Sequence, residues 1–159
     1  MAEATEKLVN DFHCRNLVMD IVGEITRLDT RELSRDTSGT RAFSQFLVEM
    51  AERVPDQLQP CLSLLQLHLD GDSYMLRKSI LSVFTEIVLK MYSNEKLEDS
   101  ARERRDQYLD CLEDHLHDVH AHVRSSVLQS WCKLCTSRAI PLQRQYQLLK
   151  LVVGRLRDR

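Results

Sequence analysis

The chain has 159 residues, 43% hydrophobic and 29% charged, and only four Gly and three Pro, too few turn makers for a many-stranded β architecture and too apolar for disorder. No apolar run approaches the ~18 to 20 residues of a membrane helix, and Met1-Ala2-Glu3-Ala4-Thr5-Glu6 has neither the basic region nor the apolar core of a secretory signal, so the expectation is one soluble globular unit with no obvious export signal. The net charge of −2 hides an asymmetry: after Asp118 there are eight Lys/Arg and one acid, so residues 119 to 159 carry +7 and the first 118 carry −9.

In chain order, Leu8, Val9, Phe12, Leu17, Val18, Ile21, Val22, Ile25 and Leu28 predict one long amphipathic helix over about residues 6 to 28. Asp29 to Gly39 reads as a polar connector. A second helix is expected from about Thr40 to Val54, with Phe43, Phe46, Leu47 and Met50 inward, stopping before Pro55 because a residue preceding proline is pushed away from helical angles. The next carries Leu58, Leu62, Leu65 and Leu69 and ends at Asp70-Gly71. Its partner runs from about Ser73 to Tyr92 on Leu76, Ile80, Leu81, Phe84, Ile87 and Val88.

The following pair repeats this one. A gap-free shift of 47 residues sets Leu62 on Leu109, Leu65 on Leu112, His68 on His115, Leu69 on Leu116, Arg77 on Arg124, Ser79 on Ser126 and Leu81 on Leu128, with Ile80 over Val127, Phe84 over Trp131 and Ile87 over Leu134. A unit of about 40 to 47 residues made of two antiparallel helices has the size of a HEAT or armadillo repeat. The HEAT signature is the better match: Leu69-Asp70 leading to Leu76-Arg77-Lys78-Ser79-Ile80-Leu81, then Leu116-His117-Asp118 leading to Val123-Arg124-Ser125-Ser126-Val127-Leu128. The fold class expected is all-α, a solenoid of HEAT repeats. Its divisions are a helix pair over 6–54, repeats over 56–92 and 98–136, and the first helix of a truncated repeat over 141–159, all within one segment spanning 1–159. The register puts Leu62, Leu65, Leu69, Ile80, Leu81, Phe84, Leu109, Leu112, Leu128, Trp131 and Leu134 in one core. In HEAT repeats the arginine joins an acid of the turn in a ladder between repeats. That resemblance implies structural roles for Arg77 with Asp70 or Asp72, and for Arg124 with Asp118.

The final helix, from about Pro141, is expected to carry Leu142, Tyr146, Leu149, Val152, Val153 and Leu156 on one face and to end in Leu156-Arg157-Asp158, an L-x-D that should open a turn. Its partner helix is missing from the sequence, which suggests a segment cut from a longer solenoid and leaves Leu149, Val152, Val153 and Leu156 partly uncovered.

Four histidines, His115, His117, His120 and His122, with Cys132 and Cys135 nearby, raise the question of zinc. A closed site needs four ligands converging tetrahedrally. Cys135 instead takes the register position of Val88, and His115 that of His68, which has no ligand cluster around it. No metal or cofactor is expected. Cys14, Cys61, Cys111, Cys132 and Cys135 form an odd set without scaffold spacing, which fits a reducing compartment. There is no Gly-rich phosphate loop, no G-x-S-x-G elbow and no H-E-x-x-H, and the carboxylates from Glu95 to Asp106 alternate with arginines as on a solvated helix face. A binding or structural protein is therefore expected rather than an enzyme. On a helix wheel Arg144 and Arg155 flank one side of the last apolar stripe and Lys150 and Arg157 the other, all four facing solvent. With Lys133 and Arg138 they form a basic surface suited to phosphates or to an acidic peptide.

Several strings go beyond the generic repeat: Glu32-Leu33-Ser34-Arg35-Asp36, Phe46-Leu47-Val48-Glu49-Met50-Ala51-Glu52-Arg53-Val54-Pro55, His68-Leu69-Asp70-Gly71-Asp72-Ser73-Tyr74-Met75-Leu76-Arg77, Arg105-Asp106-Gln107-Tyr108-Leu109-Asp110 and Val153-Gly154-Arg155-Leu156. Together they resemble the HEAT-repeat, non-SMC regulatory subunits of condensin I, over about residues 15 to 159. The resemblance implies a non-enzymatic scaffold working with the SMC ATPase pair, the kleisin subunit and a second HEAT subunit. It also implies non-sequence-specific DNA binding, a role in mitotic chromosome condensation, and a place in the nucleus, on mitotic chromosomes and in the cytoplasm, with no membrane partner. Under it, Lys133, Arg138, Arg144, Lys150, Arg155 and Arg157 become the expected DNA or kleisin contact. Two other readings stay open: a generic HEAT adaptor of importin or phosphatase-scaffold kind that binds an acidic peptide, and a zinc-dependent module.

Overall fold

The computed structural model describes residues 1–14, 16–27, 38–93 and 96–155, with only the backbone at 154 and 155. The described residues are helical, without strands. They form α1 (Ala2–Phe12), α2 (Leu17–Arg27), α3 (Ser38–Arg53), α4 (Pro55–Leu58), α5 (Leu62–Gln66), α6 (Tyr74–Met91), α7 (Asp99–Asp114), α8 (Ala121–Thr136) and α9 (Leu142–Arg155), with 3-10 turns at Gln59–Cys61 and His115–His117. The expected connector lies largely outside the described residues, as do Glu32-Leu33-Ser34-Arg35-Asp36, Glu95, and Leu156, Arg157 and Asp158 of the closing motif. Ser38 and Gly39 already belong to α3.

The helices stack in two layers. One holds α1, α3, α6 and α8, with α3 against α6 and α6 against α8; the other holds α2, the α4–α5 run, α7 and α9. Each layer offers apolar stripes that the other covers, so a single continuous core of buried side chains reaches from Ala2 to Leu148. Helix starts follow local chemistry. Pro55 sits in the first turn of α4, where its missing N–H costs nothing, and the Ser73 hydroxyl accepts from the Leu76 N–H at the start of α6.

The predicted helix over 6 to 28 is two helices. His13 has a left-handed φ of 55°, its own N–H and that of Cys14 donate to the Leu8 carbonyl, and α2 restarts at Leu17 in the other layer. The break is visible in the spacing, since Phe12 to Leu17 is a five-residue step that no single helical stripe can make; Phe12 is left 71% exposed.

Of the residues that the 47-residue register places in the core, all but one are buried. Leu62, Leu65, Leu69, Ile80, Leu81 and Phe84 are buried, and so are Leu109, Leu112, Leu116, Val127, Trp131 and Leu134. Leu128, expected in the core beside them, is 44% exposed while its counterpart Leu81 is fully buried. The cause is position in the stack: α6 is flanked by α3 and α8, whereas among the described residues α8 has a same-layer neighbour only in α6. The face of α8 that repeats Leu81 looks outward.

A similar correction applies to α9. Leu148 is its buried anchor and Val152 is half-buried, while Leu142, Tyr146, Leu149 and Val153 are exposed. Arg144, Leu148 and Val152 recur every four residues and form the docked edge, so the apolar face read from the sequence lies mostly outward.

Candidate nucleic-acid and partner interface

The turn between α7 and α8 is where the two repeats are tied together. Arg77 is buried, with Nε 2.9 Å from Asp118 Oδ2 and Nη2 2.9 Å from Oδ1, a bidentate pair between α6 and the next repeat's turn; Nη1 donates to the Gly71 carbonyl at 2.6 Å. Burial by itself would raise the Asp118 carboxyl, but the Arg77 guanidinium and the His120 N–H bonded to Oδ1 outweigh it and hold the group below the ordinary carboxylate value. The expected partners Asp70 and Asp72 are exposed instead. In the 47-residue register it is Gly71, between them, that lies over Asp118, so neither acid is at the laddering position. Arg124 repeats half of the arrangement: its Nη1 donates to the backbone carbonyls of Asp118 at 2.8 Å and Val119 at 3.1 Å, not to the Asp118 carboxylate.

The histidines of this turn are occupied in other ways. His120 stands where Ser73 stands one repeat earlier and takes over its job: its Nδ1 accepts from the His122 N–H at the start of α8, and its ring stacks on Tyr74 with centroids 3.9 Å apart. His115 Nδ1 lies 2.8 Å from the Cys111 carbonyl. Among the described residues no three His, Cys, Asp or Glu side chains are grouped to hold a metal ion.

The basic end is less open than the helix wheel suggested. Lys133 forms an ion pair with Glu86, its own counterpart in the register, so that pairing was legible in the 47-residue shift. Arg144 is only 22% exposed and pairs with Asp110 and, at 3.0 Å, with Glu113 of α7, which corrects its placement as solvent-facing. Burial pushes the Glu113 carboxyl above its usual range despite Arg144, with Asp110 and Asp114 adding to the rise. Arg138 and Lys150 remain exposed, Lys150 with its ammonium 4.8 Å from the Tyr146 ring centroid. The side chains of Arg155 and Arg157 lie outside the described residues. The surface therefore offers Arg138 and Lys150 directly, beside the exposed apolar row Leu142, Tyr146, Leu149 and Val153.

Two layers of antiparallel helices, repeated in a 47-residue register and tied turn to turn by a buried arginine–aspartate pair, define a HEAT-type α-solenoid. The chain matches Condensin complex subunit 1 of Mus musculus at 42% identity over 159 residues, covering 100% of the chain and 11% of that protein. It matches Condensin complex subunit 1 of Homo sapiens at 43% over 159 residues, with the same coverage, and Condensin-1 complex subunit CAP-D2 of Arabidopsis thaliana at 28% over 163 residues. No family model matches. The chain is thus similar along its length to condensin complex subunit 1 and spans about one-ninth of the length of the animal relatives it matches.

Proposed function

We propose that this chain is part of a non-enzymatic HEAT scaffold in a condensin complex, contributing DNA contact and subunit assembly to mitotic chromosome condensation in the nucleus. The observation that carries the reading is the match to condensin complex subunit 1 along the entire chain. The name of those relatives places them in a complex; the SMC ATPase pair, the kleisin and the second HEAT subunit are the partners this reading assigns. DNA binding is supported by the excess of positive charge after Asp118 and by the exposed Arg138 and Lys150. A solenoid of this kind has no element shaped to read base edges, so affinity would come from phosphate neutralisation.

Two measurements test it. Affinity capture with the tagged chain should recover SMC and kleisin chains, and capture of neither would overturn the assembly role. For DNA, Lys133 and Arg144 are already in ion pairs, which leaves Arg138, Lys150, Arg155 and Arg157. If these four meet duplex phosphates, log K should fall with log salt at a slope of about −3.6, from about −0.9 per contact. Reversing Lys150 and Arg157 to Glu should weaken binding equally for unrelated duplexes. Undiminished binding by that folded variant would remove this surface from the DNA contact, and loss of kleisin binding alone would reassign it to the protein partner.

A further inference from the structure

On the edge of the stack, between the turn that follows α6 and the turn that joins α8 to α9, a pocket of about 660 Å³ is lined by Ser93, Arg105, Cys135, Arg138, Pro141 and Leu142, among others. Its described lining includes two guanidinium groups and no carboxylate, in a chain whose first 118 residues are strongly acidic. Arg105 is 11% exposed; its Nε and Nη2 both lie 2.9 Å from the single oxygen Asp106 Oδ1, which leaves Nη1 without a protein partner among the described residues. Arg138 has no hydrogen bond or ion pair from its side chain there, yet its backbone is fixed. It sits in the left-handed region at φ 53°, with the Ser137, Arg138 and Ala139 N–H groups donating to the Lys133, Cys135 and Leu134 carbonyls. Gly or Asn takes that conformation more easily, so helix capping does not by itself call for an arginine here.

We infer that this pocket docks a short acidic segment of a partner protein, an anionic side chain entering between Arg105 and Arg138 and a neighbouring apolar side chain resting on Pro141 and Leu142. Charge complementarity supplies the first half of the argument. The open Nη1 of a nearly buried guanidinium whose fork already holds Asp106, beside an Arg138 guanidinium without a partner among the described residues, suits one carboxylate or phosphate. Shape and polarity supply the second half. A duplex presents its phosphates on a broad convex surface that does not reach a side chain 11% exposed in a pocket, and it would leave the wall of Ile140, Pro141 and the 81% exposed Leu142 unused. A single extended peptide uses both. The inference rests on the scaffold reading above and narrows it to a class of partner and a place.

The test is selection of random peptides displayed against the purified chain, followed by fluorescence anisotropy with the consensus peptide. The selected sequences should pair an acidic with an apolar residue. Affinity should fall at least tenfold for Arg105→Gln, for Arg138→Asn, and for the peptide with its acid replaced by the amide, while Lys150→Glu should bind the peptide as the parent does. Substituting phosphoserine for the acid separates the two anion sources: tighter binding assigns the pocket to a phosphorylated segment, weaker binding to a carboxylate. Asn keeps the left-handed turn, so Arg138→Asn decides the matter should Arg105→Gln fail to fold. A selection with no enrichment of acids, full peptide affinity in Arg138→Asn, or equal loss of duplex and peptide binding in Arg105→Gln would overturn the inference. Loss of duplex binding in Lys150→Glu with peptide binding intact would show that the DNA contact depends on Lys150 and the pocket does not, so failure of the DNA contact and failure of this pocket are distinguishable.

Discussion

The two repeats carry nearly the same residues at the same register positions and use them differently. In the first, Arg77 is buried and fully engaged, bridging its own turn at Gly71 and the next turn at Asp118, and Leu81 is sealed between α6 and its neighbours. In the second, Arg124 reaches only backbone carbonyls and Leu128 is 44% exposed. Identical side chains thus carry different weight, because a solenoid repeat is completed by its neighbours. Burial, and with it the energy of each contact, comes from the stack more than from the repeat.

The largest difference should appear at the rung. Asp118→Ala leaves the Arg77 charge buried without its partner, and about 3 to 5 kcal/mol of stability should be lost in urea unfolding. Arg124→Leu, which removes partly exposed bonds to carbonyls, should cost about 1 kcal/mol. Equal losses would break the comparison.

Next come the leucines. Leu81→Ala opens a cavity in a closed core and should cost about 2 to 5 kcal/mol, whereas Leu128→Ala should cost about 1 kcal/mol or less. A Leu128→Ala loss as large as that of Leu81→Ala would show that the outward face of α8 is covered, for instance by self-association, which sedimentation would detect.

The same rung sets an acid response. Because the folded Asp118 carboxyl is held below its ordinary value, its stabilising contribution is fully present above about pH 3.9, the unfolded value, and is lost as pH falls through the lower folded value. Acid unfolding of Asp118→Asn should be flatter over that window than that of the parent chain; an unchanged profile would mean that the Arg77 pair does not govern this titration. Glu113 provides the contrast, since burial already raises it and Arg144 opposes the rise. Arg144→Gln should move the Glu113 carboxyl further up in a carbon-detected NMR titration, and a downward movement would exclude the ion pair.

The smallest effect belongs to α9, docked among the described residues through Arg144, Leu148 and Val152. Its amides should exchange faster than those of α6, and Arg144→Gln should speed them further, by about three- to fivefold for about 0.6 to 1 kcal/mol of lost docking energy. Exchange in α9 as slow as in α6 would mean a second contact covers it.

Much of this architecture was legible in the sequence, since apolar spacing and the 47-residue shift depend only on local helix geometry and on the requirement that each helix bury one stripe. They brought out the helix pairs, the inward leucines and the paired arginines, and the same shift already held the Glu86–Lys133 ion pair. The apolar spacing from Leu8 to Leu28 was read as one long helix, and the structure breaks it at the five-residue step from Phe12 to Leu17. What required the tertiary structure was which copy of a repeated residue is covered and which acid a given arginine meets. Arg77 finds Asp118, 41 residues away, rather than Asp70 or Asp72 in its own turn, and Arg144 finds Asp110 and Glu113. The pocket between Arg105 and Arg138 belongs to the same class, bringing together a residue of α7 and a residue of the α8–α9 turn 33 positions apart in the chain. Periodicity constrains residues along one helix, where spacing determines direction. A contact between helices depends on how the layers stack, and there sequence separation carries no distance.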